Sequence, residues 1–200
     1  GLRHLSPPDC WPGMREAADA LEQGIREGRK VLIWGDYDVD GITGATLILQ
    51  TLRFHDVPST VHLPDRRKEG YGLNIPEIER LAAEEGPGIL LTVDCGITNL
   101  DEVALAKKRG MTVIVTDHHQ LAEKLPEADA VLNPLIEPYA FKRLCGAGVA
   151  LKITQALLGM DGVEKRIDLA ALATVADIVP LMEENRVIVR EGMMRMGTSA

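Results

Sequence analysis

Short apolar runs and segments of helical periodicity alternate along most of the chain. The apolar runs predict buried strands at residues 31–34, 60–63, 89–93, 112–116 and 128–133. Apolar residues at helical spacing predict helices at residues 14–27, 42–55, 76–84, 99–109 and 145–158, with further helices at 169–176 and 185–196. The pattern therefore predicts an α/β fold: a mostly parallel five-stranded sheet with helices on both faces, followed by C-terminal helices.

Polar side chains that can bind metals follow three of the predicted strands. They are Asp36, Asp38 and Asp40 after the first strand, Asp94 after the third, and Asp117, His118 and His119 after the fourth. In parallel sheets, ligands bind at the carboxyl ends of the strands. We therefore expect these side chains to converge at one edge of the sheet.

The acidic loop from Asp36 to Asp40 is difficult to explain without a cation. Three carboxylates this close repel one another at neutral pH, and a divalent metal ion relieves the repulsion. Capping of the following helix by Asp40 accounts for only one of them. An EF-hand loop requires Glu at its twelfth position, where this chain has Leu47, and it should follow a helix rather than a strand. We therefore exclude the EF-hand.

Four further residues extend the set of metal ligands. Asp94 is either a helix cap or a ligand, and the pattern leaves both open. The adjacent His118 and His119 offer one imidazole ligand and one group for a substrate oxygen. Asp177 follows an apolar helical run, where a carboxylate requires a partner. This set suits manganese or magnesium, with zinc or cobalt as alternatives, and its size predicts a two-metal site for phosphoester hydrolysis.

Composition and charge restrict the class of protein. The 200 residues are 46% hydrophobic, enough for one domain with a sizeable core. The net charge of −8 argues against nucleic-acid binding through a generally basic surface, but a metal-filled acidic site is compatible with a nuclease. Three widely spaced cysteines argue against a disulfide framework or a zinc knuckle. No apolar run is long enough to span a bilayer, so we expect a soluble cytoplasmic protein.

Two segments lie outside this regular pattern. Residues 2–12 are rich in proline and are expected to form an arm on the surface. Residues 65–74 form a polar loop with glycines, whose Arg66 and Arg67 are either phosphate contacts or part of a solvated surface.

Four segments together resemble the motifs of the DHH phosphoesterase superfamily. They read Gly35-Asp-Tyr-Asp-Val-Asp-Gly41, Val93-Asp-Cys-Gly-Ile97, Thr116-Asp-His-His119 and Thr174-Val-Ala-Asp-Ile-Val-Pro-Leu181. Within the superfamily, the amino-acid sequences of these four segments are most similar to those of the RecJ family of single-strand-specific exonucleases. Residues 64–74 and 144–150 resemble the same family.

The resemblance implies an activity and a set of site residues. The activity is metal-dependent 5′ to 3′ exonuclease action on single-stranded DNA, releasing 5′-mononucleotides in DNA repair and recombination. Two divalent cations, Mn²⁺ preferred and Mg²⁺ possible, are implied, with the ligands Asp36, Asp38, Asp40, Asp94, His118 and Asp177, of which Asp94 bridges. The implied catalytic residues are Asp94, His118 and His119, and the substrate contacts are His119, Arg66, Arg67, Gly146 and Gly148. In a full-length protein, the implied partners are a single-strand-binding protein and a helicase.

The chain departs from this family pattern in two respects. Trp34 stands where many members have a histidine ligand, and an indole cannot bind the metal, so Asp36 or water must replace it. Family members are also longer. We expect an N-terminal arm and helix at 1–30, the DHH catalytic domain at 31–180, and at 181–200 the start of a helical linker to a second domain absent from this chain.

Two other functions remain open. One is a DHH phosphodiesterase that acts on short oligonucleotides or cyclic dinucleotides. The other is a non-catalytic replication scaffold, against which the retained carboxylates and imidazoles argue.

Overall fold

The computed structural model describes residues 1–197, apart from the side chain of Glu85. Its strands are β1 (Val31–Trp34), β2 (Ser59–His62), β3 (Ile89–Thr92), β4 (Thr112–Thr116) and β5 (Ala130–Leu132). Its α-helices are α1 (Met14–Arg26), α2 (Val39–Arg53), α3 (Ile75–Glu85), α4 (Leu100–Lys108), α5 (Gly146–Glu164), α6 (Ile167–Ala176) and α7 (Glu183–Met196). The strands pair in parallel in the order β2-β1-β3-β4-β5. The predicted fold class is confirmed.

Each predicted helix and strand is present, and most bounds shift only slightly. The largest difference is in α5, which continues beyond the predicted end at Leu158 as far as Glu164. Gly159 interrupts it with a non-helical conformation (φ 64°, ψ −162°), so the predicted end coincides with a break inside the observed element. None of the described helices is both long and apolar enough to cross a membrane.

The segment before α1 packs more deeply than a surface arm. It contains two short 3-10 helices, Leu2–His4 and Pro8–Cys10. The side chains of Leu5 and Trp11 are buried, and the Trp11 indole stacks on the Tyr139 ring with 4.1 Å between ring centroids. The prediction of a surface arm was therefore wrong for these two residues, which belong to the main core.

Alternate strand residues enter two separate hydrophobic cores. Val31 and Ile33 of β1 belong to a core shared with α1, α2, α5 and α6. Leu32 and Trp34 point to the opposite face, in a core shared with α3 and α4. Because both faces are covered, the strands are apolar almost throughout.

The strand order changes direction between β1 and β3. From β1 the chain first adds β2 on one side and then crosses back to place β3 on the other. In open α/β sheets, a crevice forms outside the carboxyl ends of the strands at such a switch point. The loops after β1 and β3 carry the acidic residues singled out above, so they border this crevice.

A buried ion pair joins helix α5 to α7, and a hydrogen bond joins α5 to the N-terminal segment. The Lys152 ammonium contacts the Glu184 carboxylate, and both side chains are almost fully buried. Lys152 also donates to the Ser6 carbonyl at 2.8 Å, and Tyr139 donates to Glu184 Oε1 at 2.9 Å. Burial lowers the pKa of Lys152, and the nearby Glu184 charge opposes that shift. This network fixes α5, whose N-terminus borders the crevice.

We expect Lys152→Met to destabilise the protein strongly, because it leaves the Glu184 carboxylate buried without its cation. Removing one partner of a buried pair typically costs about 3–5 kcal/mol. Urea denaturation at pH 7 measures the loss. The exposed pair of Arg26 and Glu22 provides the control, since Arg26→Ala should cost less than about 1 kcal/mol. A loss for Lys152→Met no larger than that of the control would contradict a stabilising role for the network.

Candidate metal centre

The loop after β1 holds its three carboxylates in different ways. Asp36 is buried, and its Oδ1 accepts the Tyr37 N–H at 2.7 Å. Asp38 caps α2, with Oδ1 accepting the Gly41 N–H at 3.0 Å. Asp38 therefore caps α2. The capping alternative assigned this role to Asp40 and was wrong on that residue. Burial, followed by the charge of Asp38, raises the pKa of Asp36 although its backbone hydrogen bond opposes this.

Asp40 reaches across the crevice to the N-terminus of α5. Its two carboxylate oxygens accept the N–H groups of Gly146 at 2.6 Å and Ala147 at 2.7 Å. The first N–H groups of a helix have no partner within the helix, and its positive dipole end favours a carboxylate. This contact joins α2 to α5 and stabilises one negative charge of the cluster.

Gly146 allows α5 to approach Asp94 closely. A Cβ atom on Gly146 would lie 2.6 Å from Asp94 Cβ and 2.8 Å from Asp94 Oδ1, closer than packing permits. A Cβ on Gly148 would instead meet the Leu144 side chain at 3.1 Å. Of the two predicted substrate-contacting glycines, Gly146 therefore borders the acidic cluster, whereas Gly148 packs against Leu144.

The Asp94 side chain lies among the other carboxylates, and one of its oxygens has no hydrogen-bond partner among the described residues. The side chain is buried, the Asp94 backbone adopts the left-handed conformation (φ 65°), and the oxygen without a partner is Oδ1. His118 Nε2 lies 3.0 Å from that oxygen. Burial, and then the charges of Asp40 and Asp38, raise the pKa of Asp94. A strained, buried carboxylate that lacks a donor indicates that a cation belongs here.

The donor atoms form three overlapping groups, in each of which they lie within 4.8 Å of one another. The groups are Asp36, Asp38 and Asp94; Asp94, His118 and His119; and Asp40, His118 and Asp177. Asp94 and His118 each belong to two groups, so neighbouring cation positions would share them. Carboxylate oxygens and imidazole nitrogens are ligands for hard to intermediate divalent cations. The donor set and the unpaired Asp94 oxygen thus fit divalent metal ions, although the role of each ligand stays a prediction.

His119 is held by Asp117, which the sequence placed at this edge without a role of its own, and by Tyr71, which the sequence did not single out. Its Nδ1 lies 2.7 Å from Asp117 Oδ1 and 3.0 Å from the Tyr71 hydroxyl. Burial raises the pKa of Asp117, but hydrogen bonds from His119 and the Ile97 N–H outweigh it and keep that pKa low. Asp117 in turn raises the pKa of His119. Two features of the sequence could have indicated the roles of these residues: the aspartate that directly precedes the two histidines, and the tyrosine between two glycines in Gly70-Tyr-Gly72.

The basic loop and Trp34 occupy different surroundings. Arg66 and Arg67 are exposed, and the Arg66 guanidinium lies 5.3 Å from the centre of the Tyr37 ring, next to the acidic loop. Trp34 is fully buried in the core shared with α3 and α4, and its ring lies 4.3 Å from that of His62. The indole therefore packs beneath the site.

A small cleft of about 130 Å³ opens beside the cluster, lined by Asp38, Val39, Asp40, Ala176 and Asp177. A larger hollow of about 510 Å³ lies between the N-terminal segment and α7 and touches none of the candidate site residues. Of its two acidic residues, Glu183 and Glu184, the buried Glu184 is satisfied by Ser6, Tyr139 and Lys152. The carboxylate cluster, and not the larger hollow, is therefore the candidate site.

The fold and the carboxylate–histidine cluster are those of a domain of the DHH type. The model of the DHH family N-terminal domain matches residues 30–178, and the chain belongs to this family. It is 43% identical over 187 residues to the single-stranded-DNA-specific exonuclease RecJ of Bacillus subtilis, covering 92% of this chain and 23% of that protein. The chain thus spans about a quarter of that relative's length.

Solved structures show the same likeness. The crystal structure of exonuclease RecJ bound to manganese matches 98% of this chain and 50% of that one, with a TM-score of 0.88 and 36% identity. RecJ of Thermus thermophilus in complex with Mn²⁺ matches 95% of this chain and 28% of that one, with a TM-score of 0.80 and 35% identity.

We expect Gly146→Ala to weaken cation binding, because its methyl group would displace Asp94 or the start of α5. Calorimetric titration with Mn²⁺ as the probe should show affinity lowered by about tenfold or more, as expected when one ligand loses its position. Gly148→Ala provides the matched control, since its methyl group meets only the movable Leu144 side chain. Equal Mn²⁺ affinity in the two variants would contradict this account of Gly146.

We expect Asp94→Asn to stabilise the metal-free protein and to abolish stabilisation by metal. The amide removes a buried carboxylate from among other carboxylates, so the free energy of unfolding should rise by about 1–3 kcal/mol in a chelator. Adding Mn²⁺ should raise the melting temperature of the wild type and leave that of the variant unchanged. A wild type that does not respond to Mn²⁺ would contradict the metal assignment.

Proposed function

We propose that this chain is the catalytic part of a metal-dependent 5′ to 3′ exonuclease that hydrolyses single-stranded DNA to 5′-mononucleotides. The observation that carries the proposal is the unpaired, buried Asp94 carboxylate within two groups of possible metal ligands at the switch point of the sheet. The likeness to single-stranded-DNA-specific exonucleases supports the substrate.

Two divalent cations, Mn²⁺ by preference and Mg²⁺ as an alternative, are proposed as cofactors. Relatives solved with Mn²⁺ and with Mg²⁺ support both ions. The proposed ligands are Asp36, Asp38, Asp40, Asp94, His118 and Asp177, with Asp94 shared between the ions. When bound, such cations offset the negative charge that develops on phosphate oxygens during hydrolysis.

The chain's own residues orient the substrate phosphate. Asp117 accepts the Nδ1 proton of His119, so Nε2 is the ring nitrogen that can meet a phosphate oxygen. Because Asp117 raises the pKa of His119, the imidazolium form that donates from Nε2 is favoured. Arg66 and Arg67, in the exposed loop beside Tyr37, are proposed to contact phosphates further along the strand. Gly146 lets α5 close on the site from the other side.

The greater length of the relatives supports a division into functional parts. We propose residues 31–180 as the catalytic domain, residues 1–30 as a packed N-terminal arm and helix, and residues 181–200, of which 198–200 lie outside the described residues, as the start of a helical linker to a second domain. The acidic charge of −8 is consistent with DNA binding that depends on such a further domain. In the whole protein, we propose a cytoplasmic role in repair and recombination with a single-strand-binding protein and a helicase as partners.

The proposal is tested by a nuclease assay on 5′-phosphorylated single-stranded DNA with Mn²⁺ titrated in. We expect slow release of 5′-mononucleotides, none from blunt duplex DNA, and a loss of about 10³-fold in kcat/KM in Asp94→Asn, as for removal of a group that stabilises transition-state charge. Lys152→Met is unsuitable as a control because it destabilises the fold. Arg26→Ala, on the exposed pair in α1, should keep full activity.

The substrates that the protein hydrolyses distinguish the proposed exonuclease from the alternative, a phosphodiesterase that acts on short oligonucleotides or cyclic dinucleotides. Hydrolysis of dinucleotides or cyclic dinucleotides without degradation of long single strands would overturn the exonuclease proposal in favour of that enzyme. Activity that does not depend on a divalent cation, or that persists in Asp94→Asn, would overturn the metal-dependent mechanism itself.

A further inference from the structure

Tyr71 makes two contacts at the centre of the site although it lies in an exposed loop. Its hydroxyl oxygen is 3.0 Å from His119 Nδ1 and 3.3 Å from the main-chain carbonyl oxygen of Asp94. Its ring meets the His119 ring edge-on, with 5.6 Å between the ring centroids. The side chain therefore contacts both a residue proposed to bind the substrate and a residue proposed to bind metal.

The hydrogen-bond roles follow from the partners. The Asp117 carboxylate can only accept, so the proton on His119 Nδ1 belongs to that bond at 2.7 Å. The Tyr71 hydroxyl then donates to the Asp94 carbonyl, and its oxygen shares the Nδ1 proton with Asp117. One hydroxyl thus connects the His119 ring to the main chain of Asp94.

The loop before Tyr71 is braced by Glu69. The Glu69 carboxylate lies 2.8 Å from His62 Nε2 and accepts the Asp65 N–H at 2.8 Å. It also accepts the Asn74 side-chain amide at 3.3 Å, which closes the loop on itself. His62 ends β2, so the loop is fixed to the edge of the sheet.

The loop after Tyr71 is braced by Asn99. The Asn99 amide accepts the Leu73 N–H at 3.3 Å and donates to the Leu73 carbonyl at 3.2 Å. A Cβ atom on Gly72 would lie 2.6 Å from Asn99 Oδ1, and Gly72 has φ +80°, so only glycine allows this approach without strain. Leu73 is buried in the core shared with α3 and α4. Fixed on both sides, the loop can hold Tyr71 in one place.

The main chain that Tyr71 contacts is itself unusual. Asp94 is a non-glycine residue in the left-handed conformation, which is disfavoured and must be maintained by its surroundings. Its N–H donates to the Thr116 carbonyl at 3.0 Å, and its carbonyl accepts from Tyr71. The tyrosine therefore also supports the backbone conformation that presents the Asp94 side chain.

We propose that Tyr71 is a positioning residue that holds the His119 ring and the Asp94 main chain in one relative orientation, so that His119 meets the substrate phosphodiester in a single pose. The expected effect of this role on hydrolysis rests on the proposed function. The arrangement of the His119 ring does not depend on that function and can be measured separately.

The test compares Tyr71→Phe with Tyr139→Phe. Both variants remove one phenol hydroxyl, but that of Tyr139 bonds to Glu184 in the N-terminal network, outside the proposed site. Tyr71 is 44% exposed, so its replacement by Phe should leave the fold intact, as a melting curve verifies. Calorimetry with Mn²⁺ should give affinities within about twofold of wild type for both, because neither hydroxyl belongs to the proposed ligand set and the Asp94 main chain keeps its hydrogen bond to Thr116 in Tyr71→Phe.

The first readout is the Nδ1 proton of His119 in nitrogen-15 histidine spectra, assigned by its absence in His119→Gln. We expect its exchange with water to be about tenfold faster in Tyr71→Phe and unchanged in Tyr139→Phe, since only the former removes a shared hydrogen bond. An unchanged exchange rate in Tyr71→Phe would overturn the proposal.

The second readout is hydrolysis of single-stranded DNA. We expect kcat to fall about tenfold in Tyr71→Phe with KM within about twofold of wild type, because the lost interaction orients a group rather than binding the strand. Wild-type kcat in that variant would also overturn the proposal. If the wild type binds Mn²⁺ but hydrolyses no DNA, the proposed function fails, and the exchange rate of the His119 proton still decides the positioning role.

Discussion

Electrostatic repulsion among the carboxylates around Asp94 is the constraint on which the rest of the site depends. Asp36, Asp40 and Asp94 are buried where β1 and β3 end, with the exposed Asp38 beside them, and burial removes the water that would otherwise separate the buried charges. The protein offsets part of this repulsion with dipoles. The Asp40 carboxylate lies on the first N–H groups of α5, and Asp38 caps α2. Asp94 receives no such partner, so its charge is left for a cation.

This arrangement explains why α5 is so firmly held. The helix must bring its N-terminus within hydrogen-bond distance of Asp40 and, through Gly146, into contact with Asp94. Further along the same helix, Lys152 forms a buried pair with Glu184 of α7. A buried pair adds little net stability over apolar packing, but it specifies one alignment of its elements. Here that alignment also sets the distance between α5 and the metal ligands.

Much of the fold, and the convergence of the candidate ligands at one edge of the sheet, could be predicted from the sequence, and the reason is topological. Apolar runs specify the strands, and parallel pairing brings whatever follows them to one edge, so Asp36, Asp94 and His118 had to converge. The sequence could not show which aspartate caps α2, because Asp38 and Asp40 are both near its start and only the tertiary contact with α5 distinguishes them. It also could not show that Gly148 packs against Leu144, since both glycines stand in the same turn of helix. Tyr71 was missed because its contact with His119 joins residues 48 positions apart.

The residues proposed to bind metal and those proposed to contact the substrate phosphate are held in place by different parts of the structure. The proposed metal ligands stand on strand ends and helix termini that two hydrophobic cores hold in place, so their geometry is set when the chain folds. The proposed phosphate contacts, Arg66, Arg67 and His119, lie instead on or against an exposed loop that is braced by polar contacts and, beyond Tyr71, by the buried Leu73. Cation binding should therefore tolerate changes in this loop, whereas the orientation of the substrate should not. The core-held candidate ligands and the surface loop can therefore change independently of one another, as binding residues on loops do when a rigid scaffold positions them.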